Sequence, residues 1–271
     1  MPQLRFEHGP VLIGVVHLAP LPGSPRGGAG PSSWLSAALR DARALARGGC
    51  DALLVENFGD VPFYPASVPP ETVACMARVL GEVRAAHPKL PLGVNVLRND
   101  ARSALGLCAA FDLEFLRVNV HAGAAVSDQG ILEGRAHETL RERARLCPRA
   151  AILADVHVKH ATPLAQESLA EATAELVGRA LADAVIVSGR ATGSPPSARS
   201  VAEVASAAGR APVLIGSGLD LRNAESLLGE CSGAIVGTAL KRGGRVRARV
   251  DEARVRAFAT LLRRLARERV S

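Results

Sequence analysis

Eight short apolar runs rich in Val, Ile and Leu alternate along the chain with segments whose apolar residues recur at helical spacing. The runs occupy 11–17, 52–56, 92–96, 115–121, 152–159, 184–188, 213–215 and 233–236. The helical segments occupy 34–47, 70–86, 101–110, 131–146, 164–181, 197–208, 221–228 and 250–267. A strand that is apolar on both faces must be covered on both, and strand–helix–strand order supplies helices as that cover over a parallel sheet. Eight such units in 271 residues, with no compositional break to mark a linker, predict one α/β domain over residues 1–271: a closed (β/α)8 TIM barrel. The competing open, doubly wound sheet lacks its usual signature, because no G-x-G-x-x-G follows the first run.

Punctuation supports the count. Gly48-Gly49 closes the first helix, Pro69-Pro70 opens the second and Pro88 follows it. The stretches 18–33 and 57–69, after the first and second strands, are long and rich in Pro and Gly. In a barrel such loops rise from the catalytic face, so they are expected either to touch substrate or to decorate the surface.

The charge balance is less informative than it looks. Thirty-three basic residues against 26 acidic ones give +7, but only Lys89, Lys159 and Lys241 are lysines. The arginines are not interleaved with aromatics, which make up 3% of the chain, and the dense group at 242–269 alternates with acids along an apolar stripe. That is a solvated helix, and nucleic acid is not an expected partner. The five cysteines are scattered without a CxxC pair, as in a reducing cytoplasm. The apolar run 11–16 is too short for a membrane span or a signal core. A cytoplasmic protein is expected, and a homo-oligomer is compatible with this reading.

Chemistry enters through alternation. Arg117, Asn119 and His121 share one parity in the fourth run, and Asp155, His157 and Lys159 share one in the fifth, with valines between them. A period of two puts each trio on one face, and valines turned to the helices leave the trios pointing inward. His17, Glu56, Asn95 and Ser188 end other strands with polar atoms. Arg117 lies deeper and is expected to pair with Asp155 or Glu56. Glu56 or Asp155 serves as candidate base, with His121 or His157 as acid. Lys159 would stabilise an enolate or form a Schiff base. A divalent ion held by Asp155, His157, His121 and Glu56 is the less favoured alternative, since no compact ligand pattern supports it. No cofactor is otherwise indicated.

The last two strands run into Gly216-Ser217-Gly218 and Gly237-Thr238-Ala239-Leu240-Lys241. Glycines there let backbone N–H groups approach an anion, a following helix start would add a favourable dipole, and Lys241 would add charge. Gly189 and Gly193 are candidates to join this cradle. The bland alternative is a set of tight turns that close the barrel.

These residues fall in strings that resemble the BtpA/SgcQ family. The matching strings are His17-Leu18-Ala19-Pro20-Leu21-Pro22-Gly23-Ser24-Pro25, Glu56-Asn57-Phe58-Gly59-Asp60 with Pro62-Phe63, and Asn95-Val96-Leu97-Arg98-Asn99-Asp100. Arg117 to His121, Ser127-Asp128-Gln129-Gly130, Ala154 to His160, Thr192-Gly193 and both glycine turns follow in order. The resemblance implies a ribulose-phosphate-binding type of barrel, and it adds Asn57 and Arg98 to the substrate-facing set. It also implies an association with photosystem I, through cyanobacterial members, or with sugar metabolism. The expected function is an enzyme using acid–base chemistry on a small phosphorylated metabolite, a sugar or nucleoside phosphate. The alternatives are a non-catalytic photosystem I biogenesis factor and a sugar-phosphate sensor.

Overall fold

The computed structural model describes residues 9–269 apart from 29 and 190. The eight expected strands are present as β1 (Val11–His17), β2 (Ala52–Glu56), β3 (Leu92–Asn95), β4 (Phe115–Val118), β7 (Ala151–Asp155), β9 (Ala184–Val187), β10 (Val213–Ile215) and β11 (Gly233–Val236). They close into a barrel in the order β1-β11-β10-β9-β7-β4-β3-β2. Each pairs in parallel with its neighbours. The helices are α1 (Pro31–Gly48), α2 (Pro70–Ala86), α3 (Ala101–Phe111), α4 (Ala136–Leu146), α5 (Leu169–Gly178), α6 (Ala198–Ala208), α7 (Ala224–Leu227) and α8 (Glu252–Glu268).

Alternation divides the core in two. Val16, Leu53, Val94 and Leu116 face outward and join the helices in one apolar cluster. Ile13, Val15, Leu54, Phe115, Leu153, Ile186, Leu214 and Ile235 face inward and form a second cluster inside the barrel. Phe115 fills this space so fully that a Cβ on Gly93, across the strand pair, would lie 2.3 Å from its ring. Glycine there is a packing requirement. Helix starts follow capping chemistry: Asp100 accepts from the N–H of Ser103, and Ser168 with Glu171 forms a reciprocal capping box at α5.

Five expected boundaries fail. The runs 115–121 and 152–159 stop as strands at Val118 and Asp155, where barrel pairing ends. The segment 131–146 is helical only from Ala136, because β5 (Ala124–Ser127) and β6 (Gly130–Glu133) form a hairpin across a two-residue turn. The segment 164–181 is helical only over α5, which Ser168 caps at its start, while Leu164 N still bonds to Ala124 O beside β8 (Ala161–Pro163), which joins β5 in a small antiparallel sheet of order β6-β5-β8. The segment 221–228 reduces to the four-residue α7. Two loops that the sequence did not mark as long, after β4 and β7, therefore carry a sheet of their own.

Candidate active site at the barrel mouth

Register sets the first side chains. His17 pairs with Glu56 across β1 and β2, and Glu56 with Asn95 across β2 and β3, so three strand ends share one rung. Asn95 Nδ2 donates to Glu56 Oε2 at 2.8 Å, and His17 Nε2 lies 3.8 Å from Glu56 Oε1. The His17 ring stacks on Phe58 at a centroid distance of 4.4 Å, and it occupies the space that any side chain on Gly237 would need. Burial, then the charges of Lys241, Lys159 and Arg117, hold the imidazole well below its ordinary pKa. His17 is therefore neutral at pH 7.

On the opposite wall Asp155 is fully engaged. It accepts from Arg117 Nε at 2.9 Å and Arg117 Nη2 at 2.8 Å, from Asn119 Nδ2 at 2.9 Å, and from Ser188 Oγ at 3.3 Å. A carboxylate with four donors and no exposed side-chain surface has its oxygens committed to those partners. Asp155 thus holds Arg117 in the cavity floor, the supporting pair expected for Arg117, and Ser188 belongs to the same support. Lys159 arrives from the loop beyond β7. Burial, then Arg117 and Arg98, pull its pKa down against the opposing pull of Glu56 and Asp155. Among the described residues, nothing hydrogen-bonds its Nζ.

Two adjoining cavities share Glu56, Arg117, Lys159 and Thr192. The first, of about 360 Å³, is lined by Gly193, Gly216, Ser217, Gly218, Gly237 and Thr238, and by Arg254 from α8. The N–H groups of Ser217, Gly218, Gly237 and Thr238 have no acceptor among the described residues, although backbone N–H groups are rarely left unpaired. The Ser217 hydroxyl is taken: it donates to Ser194 O and accepts from Gly189 N, both at 3.1 Å. The second cavity, of about 500 Å³, is lined by Phe58, Val61, Phe63, Asn95, Leu97, Arg98, Asn119, Asp128 and His160.

Several expected positions are corrected. His121 is buried away from the cup, with Nε2 2.9 Å from the carbonyl of Ala180. His157 faces Glu167, 3.9 Å away, and lies within the field of Glu203 on α6. Both shared parity with inward residues, but the ladder that enforces parity ends before them. The metal set that included them is accordingly split, and among the described residues no three His, Cys, Asp or Glu side chains group to hold an ion. Asn57 is a clamp: it accepts from Leu97 N at 2.7 Å and donates to Leu97 O and Asp60. Lys241 donates to Val246 O at 2.7 Å and does not line the cavity. The helix dipole expected behind the seat is also missing, because a 3-10 turn (Thr238–Leu240) and the short α7 follow the two strands. Arg254, whose Nε donates to Ala239 O at 2.8 Å, lines the cavity in its place. Nothing in its local sequence, one arginine among many in a helix, distinguished it.

A parallel eight-stranded barrel with a charged cup and a glycine-lined turn pair at the C-terminal ends of its strands is a TIM barrel. The chain belongs to the BtpA family, whose model matches residues 8–264. It is 45% identical over 256 residues to the photosystem I biogenesis protein BtpA of Synechocystis sp., covering 94% of this chain and 88% of that one. It is 46% identical over 262 residues to a protein of Thermococcus kodakarensis, covering 97% and 98% of the two chains. A mitochondrial protein of Caenorhabditis elegans is 31% identical over 262 residues, with 94% of each chain covered. Among solved structures, phosphoribosyl anthranilate isomerase from Thermus thermophilus aligns with TM-score 0.57 at 14% identity, covering 94% of this chain and 99% of that one. (S)-3-O-geranylgeranylglyceryl phosphate synthase from Thermoplasma acidophilum, in complex with sn-glycerol-1-phosphate, aligns with TM-score 0.57 at 14% identity, covering 96% and 95%. At such identities the likeness is one of fold. No helix of the described residues is long and apolar enough to cross a membrane.

Proposed function

We propose that the protein is an enzyme acting by acid–base chemistry on a small phosphorylated metabolite. The observation that carries this is the juxtaposition of four unpaired N–H groups and Arg254, an anion seat, with Glu56 and Lys159 in one continuous mouth. Glu56 is the base, oriented by Asn95. Neutral His17 beside it donates a hydrogen bond to the reacting oxygen and keeps its proton, Glu56 as the conjugate acid returns the proton it took, and the Lys159 ammonium faces negative charge developing on the substrate. Isomerisation, aldol-type cleavage and glycosidic cleavage all fit this set. Both fold neighbours named above are named for phosphorylated compounds, which supports the reading by analogy. The reading sets the protein in a reducing cytoplasm, where its five free cysteines remain thiols.

A thermal-shift screen with inorganic phosphate and a panel of phosphorylated metabolites tests it. A ligand at 100 times its Kd stabilises by about 2.7 kcal/mol, and Glu56→Gln and Lys159→Met should each abolish turnover of that ligand. A panel without any stabiliser overturns the proposal. The second reading, a photosystem I biogenesis factor, is favoured by the Synechocystis relative. It predicts co-purification with photosystem components and function that survives Glu56→Gln. The nematode relative, from an organism without photosystems, favours the enzyme.

A further inference from the structure

We infer that the substrate is bipartite, a sugar phosphate that carries a planar ring, with the phosphate in the glycine-lined lobe and the ring in the lobe walled by Phe58 and Phe63. This rests on the phosphorylated-substrate reading and narrows it. The two lobes meet at Glu56 and Lys159, so a bare sugar phosphate seated by its phosphate places its carbons at that junction. The second lobe, of about 500 Å³, then holds nothing but water, although its wall is the less polar of the two. Pockets shaped for a ligand are mostly filled by it, and apolar walls mark where its apolar part lies.

The wall's composition points to a flat group. The chain has only six Phe, one Tyr and one Trp, yet two of these eight rings line this one lobe. Phe58 already stacks on His17, whereas Phe63 has no aromatic partner among the described residues and is half-buried. The same lobe also carries polar groups suited to a ring edge. Asp128, at the tip of the β5–β6 hairpin, offers a carboxylate, and Arg98 and Asn119 are buried polar side chains. Arg98 Nε and Asn119 Oδ1, a donor and an acceptor, have no partner in the structure among the described residues. A ring with both donors and acceptors on its edge, as in a nucleobase, matches such a wall; a long alkyl chain does not.

The test measures affinity by calorimetry for inorganic phosphate, ribose 5-phosphate, and the 5′-monophosphates of a purine and a pyrimidine nucleoside. Ring stacking on an aromatic side chain makes at least one monophosphate bind roughly 5- to 100-fold more tightly than ribose 5-phosphate. Phe63→Ala should collapse that ratio toward one, and Phe63→Leu, which keeps an apolar side chain but removes the π-face, should lower it partly. Circular dichroism confirms that both variants are folded. Equal affinities for ribose 5-phosphate and every ring-bearing ligand overturn the inference while leaving the phosphate reading intact. Failure of all four probes, phosphate included, overturns both.

Discussion

The lower barrel and its top rung are made by the same strands and solve opposite problems. Below, Ile13, Leu54, Phe115, Leu153 and Leu214 close the interior by apolar contact alone. One or two inward positions further along, the same strands present His17, Glu56, Arg117 and Asp155, with Asn95 beside them on β3. Burying that much polarity is unfavourable unless each group has a partner. Asp155 meets the condition in full, and Glu56 and Lys159 do not, since each keeps a side open to the cavity. The difference separates polar residues that hold the barrel together from polar residues left available for chemistry.

Breaking the supported pair should have the largest effect. Asp155→Ala strands the Arg117 guanidinium, 2% exposed, without its carboxylate; we expect a loss of about 3–5 kcal/mol in urea unfolding. Loss of ligand binding should accompany it, because Arg117 lines both lobes. Leu153→Ala, in the same strand but one layer lower, should cost about 2–5 kcal/mol from its cavity, with phosphate affinity of the folded fraction unchanged. Equal effects of the two variants on affinity would erase the distinction between layers.

The top rung should also be acid-sensitive. The folded pKa of His17 is depressed, so between that value and about 6.5 the unfolded chain binds the extra proton. The stability contributed by neutral His17 is thus present above about pH 6.5 and is lost as pH falls, by up to about 1.4 kcal/mol per pH unit. His121 is depressed by burial as well, and it remains in His17→Gln, so the slope lost in that variant reports His17. Superimposable Tm–pH curves for the two proteins would refute the assignment. The smallest effect is expected at the rim: Arg254→Ala should weaken inorganic phosphate about tenfold at low salt and less at high salt. Lys241→Met should instead lower stability, through its lost bond to Val246 O, and a larger affinity loss than that of Arg254→Ala would reverse the two roles.

Much of this was readable from residue order. Parity within β4 and β7 correctly turned Arg117 and Asp155 inward, and Glu56, Asn95 and the two glycine turns lie where strand ends were expected. Parity failed at His121 and His157 because alternation is a property of paired backbone, and the pairing stops at Val118 and Asp155. Lys159 reaches the cavity in spite of this, by its long side chain and the path of its loop. The β5–β6–β8 sheet escaped notice because strands of three or four residues in loops carry too short a pattern to be read as elements.

Local order, period by period, was enough to specify a closed parallel barrel and the strand ends that form its rim, since both follow from which faces must leave water. Which rim groups are spent on one another and which stay free depended mostly on contacts between segments far apart in the chain, Arg117 with Asp155 and Asn57 with Leu97 across tens of residues, and in one case on a local contact, Lys241 with Val246. A side chain's chemistry is written in its type; its availability is a matter of who its neighbours are, and only packing supplies those.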